Sequence, residues 1–125
     1  MRSRATILTA ALAPLLLAAG SDQPAMTAAD LAQLCSGTDH VSVNACRIYI
    51  LGVTQGIDVG VQLAGGHGTR HPCVPPGISA EDLEKTVKQR LATLDATAGA
   101  RDAAGFIADV LLKSFRCPRA AQGQP

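Results

Sequence analysis

The sequence predicts an all-α fold, a small disulfide-bonded bundle of about four helices. Apolar residues recur three or four positions apart in its longer segments, which is the period of one helical face. No segment shows the two-residue alternation of a strand. The chain contains four cysteines but only one tyrosine and two phenylalanines. We therefore expect disulfides to brace a core built from aliphatic residues.

Residues 1–20 have the composition of a cleavable signal peptide. Arg2 and Arg4 form a basic start, residues 5–19 are apolar, and small residues precede Ser21. These features predict export to the periplasm. In that oxidising compartment, an even number of cysteines favours two disulfides over free thiols.

The mature protein is predicted to contain one helical domain, residues 26–118, and a short flexible tail, residues 119–125. Once the signal peptide is removed, nine basic residues stand against ten acidic ones. The chain has no basic run and no set of aromatic residues for stacking bases, which argues against a nucleic-acid partner. It also has no nucleophile motif, and we expect neither enzymatic activity nor a cofactor.

The first helix is predicted from the signals at its two ends. Thr27 is a suitable N-cap, because Asp30 three residues later can complete a capping box. Gly37 is a natural end for this helix. Residues 37–41 leave room only for a quick turn, so the first two helices should be antiparallel neighbours.

The second helix, over residues 41–63, is the longest, and its polar side argues against a membrane span. Asp58 on that side is interpreted as a surface residue. The predicted core face consists of Val43, Cys46, Ile50, Val53, Ile57 and Val61. A second ridge consists of Ile48, Gly52, Gly56 and Gly60. Glycine inside a helix costs roughly 0.5–1 kcal/mol relative to alanine. The ridge therefore predicts that another helix packs closely against it, although an exposed ridge could serve a homodimer.

The third helix is predicted to begin at Ser79, with Asp82 in position to complete its cap. A turn over residues 95–99 then leads to the last helix, over residues 100–116. Two i,i+4 charge pairs on the third helix are expected to be solvated, Glu81–Lys85 and Glu84–Lys88.

The loop over residues 64–78 is the candidate partner-binding site, because long loops in small domains often carry function. Its prolines restrict the backbone, and His67, Arg70 and His71 offer donors to carboxylates or carbonyls of a protein partner. Two alternatives remain. The loop could be a disordered connector, or His67, His71 and Cys73 could bind a metal. We expect no metal, because a disulfide would consume the thiolate.

The disulfide pairing follows from an up-down-up-down topology. The end of the first helix and the start of the second share one end of the bundle, which brings Cys35 near Cys46. The loop after the second helix and the end of the last helix share the other end. The second predicted pair is therefore Cys73 with Cys117.

Four short stretches occur in a distinctive order: Cys46-Arg47-Ile48-Tyr49-Ile50-Leu51-Gly52, Cys73-Val74-Pro75, Leu83 with Val87, and Phe115-Arg116-Cys117. Together they span roughly residues 31–117 and resemble the Rap/Tai family of immunity proteins. The resemblance implies a small helical periplasmic protein. It further implies that the protein binds a peptidoglycan amidase effector of type VI secretion and blocks its active site.

Two other classes of protein fit a small, exported, disulfide-bonded helical chain. One is a periplasmic chaperone of the acid-stress kind, which would gain exposed apolar surface and positive charge as its carboxylates become protonated. The other is a structural envelope protein with no enzyme target.

Overall fold

Five helices form the part of the chain that the structure describes, and no residue there belongs to a strand. The computed structural model describes residues 25–65 and 70–118. The predicted signal peptide and the predicted tail over residues 119–125 lie outside these ranges. The helices are α1 (Ala28–Ser36), α2 (His40–Leu63), α3 (Ala80–Leu91), α4 (Ala96–Gly99) and α5 (Ala103–Ser114). The predicted all-α class is confirmed, with four full helices and one short one.

Each helix begins at a side chain that accepts a hydrogen bond from the first turn. Thr27 and Asp30 form the predicted capping box. The Thr27 N–H donates to Asp30 Oδ2 at 2.9 Å, and the Asp30 N–H donates to Thr27 Oγ1 at 3.1 Å. Ser79 caps α3 as predicted, because its hydroxyl accepts from the Asp82 N–H at 3.0 Å. The other N-caps are Asp39, Asp95 and Asp102.

The last helix is shorter than the predicted range of residues 100–116. Asp102 accepts a hydrogen bond from the backbone N–H three residues later at 2.6 Å, so α5 begins only at Ala103. Asp95 accepts in the same way at 2.7 Å, and the predicted turn after it contains the short helix α4. Asp95 and Asp102 both act as N-caps, so residues 95–114 form two helices where one was predicted after a turn.

The core lies where α1, α3 and α5 meet the first half of α2. Its largest fully buried aliphatic side chains are Leu31, Ile50, Val87, Ile107 and Leu111. From α2, only Cys46 and Ile50 are fully buried, while its later core-face residues are partly exposed. The first half of α2 is thus a core helix, and its second half extends along the surface.

Both predicted cysteine pairs are present. Cys35 bonds to Cys46 with a Cα–Cα distance of 5.1 Å, and Cys73 bonds to Cys117 with a Cα–Cα distance of 4.9 Å. The first bridge ties α1 to α2. The second ties the segment after α2 to the residues that follow α5.

The predicted packing of another helix against the glycine ridge is wrong. A Cβ atom built on Gly52, Gly56 or Gly60 would have no neighbouring atom of the described residues within 4 Å. All three glycines are exposed, as is Ile48 at the start of the ridge. The bundle packs against the opposite face of α2.

No helix of the described residues combines the length and the apolar character that crossing a membrane requires.

Candidate partner-binding site

Residues 70–78, the described part of the loop after α2, form a segment that is anchored near its midpoint. The Cys73–Cys117 disulfide joins it covalently to the end of the domain. Beside that bond, the Cys73 N–H donates to the Phe115 carbonyl oxygen at 2.8 Å. Phe115 packs against the hydrophobic core. The segment therefore has a fixed position relative to the core.

The end of the segment is a tight turn with a clear sequence cause. Pro76 and Gly77 occupy its two central positions, and the Ile78 N–H donates to the Pro75 carbonyl oxygen at 3.3 Å. Gly77 has a φ of 89°, a conformation that glycine adopts without strain. Proline followed by a glycine of positive φ is typical of a type II turn. The turn leads directly into the Ser79 cap of α3.

A groove of about 570 Å³ lies between this segment and the second half of α2. Its walls combine apolar surface with a few polar groups, which is the composition of many binding sites. The lining residues on α2 are Thr54, Gln55, Ile57, Asp58 and Val61. Those on the segment are His71, Pro72, Cys73, Val74 and Pro76.

The structure places two of the three predicted partner-binding residues. His71 is half-buried and lines the groove, while its neighbour Arg70 is exposed and does not contribute to the wall. His67 lies among residues 66–69, outside the described residues. The structure thus places one predicted donor, His71, in the wall of a concave surface for which the sequence gives no direct sign.

Asp58 is the residue of this groove that sequence reasoning missed. It is exposed, as predicted, and its Oδ2 accepts a hydrogen bond from Gln62 Nε2 at 2.8 Å. Asp58 becomes part of the groove wall only because the later segment folds back over α2. The sequence does contain one usable signal, because Thr54, Asp58 and Val61 recur at helical spacing on one side.

The residues of the alternative metal site lie close together, but their two sulfur atoms are not available as metal ligands. His71, Cys73 and Cys117 each place a possible ligand atom within 4.8 Å of the others. The two sulfur atoms, however, are bonded to each other. A disulfide sulfur is not a thiolate, and zinc sites use thiolates. The donor set does not fit a metal ion while this bond is intact.

A second polar cluster lies at the junction of α2 and α3. Arg47 Nε donates to Glu84 Oε2 at 2.7 Å, and Lys88 Nζ lies 3.4 Å from Glu84 Oε1. Glu84 is only 6% exposed, so the prediction of a solvated Glu84–Lys88 pair is wrong. Burial acts to raise the pKa of Glu84. The hydrogen bonds and charges of Arg47 and Lys88 outweigh it and hold that pKa below its ordinary value.

Comparison with known protein families gives a match over nearly the whole described domain. The family model described as Rap1a immunity proteins matches residues 27–117, which covers all five helices and both disulfides. No curated protein matches the chain at a significant level.

Proposed function

We propose, from the premise that this chain belongs to the Rap1a immunity protein family, that it is a periplasmic inhibitor of a peptidoglycan amidase effector. The match confirms the family that the cysteine-centred stretches of the sequence indicated. The effector would be delivered by type VI secretion, and the chain would act by binding rather than by catalysis. The sequence of residues 1–20, with its basic start and apolar stretch, supports export to the compartment where such an amidase acts.

The observation that carries this proposal is the anchored segment beside the groove. Ordering a loose loop on binding consumes interaction energy, so a segment already fixed before binding gains affinity. Here the disulfide at Cys73, the hydrogen bond to Phe115 and the turn at Gly77 fix the backbone in advance. An inhibitor that enters an enzyme cleft needs a segment of this kind.

The surroundings of the segment suggest how an enzyme would be recognised. Arg70 is exposed and offers several N–H donors to carboxylates or carbonyls at the mouth of an active site. His71 contributes a second polar group next to it. The groove behind them, with Ile57, Val61 and Val74 in its walls, is large enough to take apolar side chains from the enzyme. Apolar anchors buried in pockets and arginine contacts usually dominate binding energy.

The test replaces His67, Arg70 and His71 together by alanine. Inhibition would be measured on an amidase encoded beside this chain's gene, as the release of peptide from peptidoglycan fragments. We expect the inhibition constant to rise by at least about tenfold, which corresponds to about 1.4 kcal/mol of lost binding energy.

The matched control is Arg90→Ala, which removes an exposed arginine from α3, away from the groove. It should leave inhibition unchanged. Circular dichroism melts of both variants would verify that the fold is intact. Unchanged inhibition by the folded triple variant would place the binding site elsewhere on the protein.

A further inference from the structure

The Cys73–Cys117 bridge has a histidine beside it. His71, Cys73 and Cys117 each place a possible ligand atom within 4.8 Å of the others. The two cysteines are 44 residues apart in the chain, so the fold brings this group together. The Cys35–Cys46 bridge belongs to no such group within residues 25–65 and 70–118. If the bridge beside His71 is reduced, its two sulfur atoms become thiols next to an imidazole.

The three residues remain close to one another without the bond between the sulfur atoms. The Cys73 N–H donates to the Phe115 carbonyl oxygen at 2.8 Å. Val74 and Phe115, next to these residues in the chain, both pack against the hydrophobic core. Cys117 Sγ also lies 3.4 Å from the His71 carbonyl oxygen. Reduction would therefore free the sulfur atoms while the backbone around them keeps its place.

The separation of the ligand atoms suits a zinc ion. Zinc binds cysteine sulfur at about 2.3 Å and histidine nitrogen at about 2.0–2.1 Å, with tetrahedral angles. Ligand atoms around such an ion are therefore about 3.5–3.8 Å from one another. The atoms of this group are within 4.8 Å of one another. Two sulfur atoms that are no longer bonded move apart, so small side-chain rotations would complete the geometry.

From this arrangement we propose that the reduced form of the protein binds a Zn²⁺ ion through His71, Cys73 and Cys117. A dithiol reductant gives two electrons and two protons to the Cys73–Cys117 bond and itself becomes a disulfide. Zn²⁺ then binds both sulfur atoms as thiolates, and their two protons pass to the solvent. The fourth position of the ion is left for a water molecule.

The charge of the proposed site fits its partly buried position. Cys117 is 8% exposed, and an isolated ion in such a place would be costly. Two thiolates, one neutral imidazole and one Zn²⁺ ion carry no net charge together. His71 and Cys73 also line the groove, which gives the ion a path from the solvent.

Zinc would take over the mechanical function of the disulfide. Every chain is synthesised with thiols, so the reduced form precedes the bridge. A bound ion would hold the segment over residues 70–78 against the end of the domain. It would also keep Cys73 and Cys117 from pairing with the other two cysteines. Because a metal that binds only the folded state stabilises it, this effect is measurable on the protein alone and does not depend on the proposed inhibition.

The first experiment measures metal binding by the mature protein in its two redox states. The protein is reduced with a phosphine, the phosphine is removed under nitrogen, and Zn²⁺ is titrated in competition with a chromophoric chelator. We expect the reduced protein to bind one ion per chain and the oxidised protein to bind none. Co²⁺ in place of Zn²⁺ should give sulfur-to-cobalt charge-transfer absorption and the visible bands of a tetrahedral ion. Zn²⁺ should raise the melting temperature of the reduced protein only.

Matched variants identify the ligands. In the reduced state, the Cys73→Ser/Cys117→Ser variant should lose zinc binding, whereas Cys35→Ser/Cys46→Ser should keep it. His71→Ala should raise the zinc dissociation constant at least about 100-fold, more than the loss of an outer hydrogen-bond partner of a metal ligand. His40→Ala is its control, because His40 is exposed at the start of α2, and it should bind zinc as the wild type does.

A further variant covers the case in which the fully reduced protein does not fold. Cys73→Asp leaves the Cys35–Cys46 bridge intact without a reductant and offers zinc a carboxylate, the Cys117 thiol and the His71 ring. It should bind one Zn²⁺ ion per chain. The inference is overturned if the folded reduced protein, or in its place the folded Cys73→Asp variant, binds no zinc. It is equally overturned if His71→Ala leaves the affinity unchanged, or if the two double cysteine variants bind zinc equally.

Discussion

Glu84 shows, at the scale of one residue, that a local charge pattern does not predict whether a side chain is buried. A glutamate and a lysine four residues apart look the same in sequence whether they face water or a neighbouring helix. The partner that decides the case is Arg47, which is 37 residues away in the chain and 2.7 Å away in space. Only the crossing of α2 over α3 creates that contact, and it leaves Glu84 buried as a bridge between the two helices.

The low pKa of Glu84 predicts a specific loss of stability in acid. The unfolded chain binds the proton near the ordinary value of 4.5, whereas the folded protein binds it only at lower pH. The contribution of ionised Glu84 is therefore fully present above the unfolded value and disappears as the pH falls through the folded value. Urea unfolding of wild type and Glu84→Gln should differ clearly at neutral pH, and the difference should shrink towards pH 3. A difference that stays constant with pH would contradict this assignment.

At the scale of an element, α2 explains which part of the fold was predictable. Its N-terminal region, its length and its core residues Cys46 and Ile50 all followed from local chemistry and helical period. The helix, however, has two apolar faces, and periodicity alone does not say whether the bundle covers one of them or both. The cost of glycine in a helix favoured the ridge as a packing site. In the described structure, the face with Cys46 and Ile50 packs against the other helices, and the ridge is exposed.

This exposure predicts that removing a glycine from the ridge stabilises the monomer. Gly56→Ala should raise the free energy of unfolding by about 0.8–1.0 kcal/mol, the difference in helix propensity between the two residues. Gly37→Ala is the control with the opposite sign, because its Cβ would overlap the Ser42 side chain. Urea melts on dilute protein would compare the two. A destabilised Gly56→Ala variant would mean that the ridge packs against something in the monomer.

The two disulfides should differ in their contribution to stability, because they close loops of different length. The Cys73–Cys117 bridge spans 44 residues and the Cys35–Cys46 bridge spans 11. In the chain-entropy model these spans correspond to about 4 and about 3 kcal/mol. Thermal and urea unfolding of the paired Cys→Ser variants would measure both values. The variant that lacks Cys73–Cys117 should lose more stability and also lose inhibition, and an equal or reversed order would contradict the model.

At the scale of the whole molecule, the sequence was sufficient for the helical class, the disulfide pairs and the family. These depend on spacing along the chain, which is visible in one dimension. The groove depends on a segment that folds back over α2 and brings His71 near Asp58's side of that helix. Such a surface combines residues more than ten positions apart. The helical spacing of Thr54, Asp58 and Val61 indicates one wall, but no local signal shows that the later segment covers it. The sequence therefore located the segment but not the concave wall beside it.

We propose that this protein neutralises a peptidoglycan amidase by binding it. The most direct test is a titration of the amidase encoded beside this chain's gene with the purified, oxidised mature protein, while peptide release from peptidoglycan fragments is measured. We predict that hydrolysis falls in proportion to added protein and stops at equimolar amounts. Full hydrolysis in the presence of excess folded protein would contradict the claim.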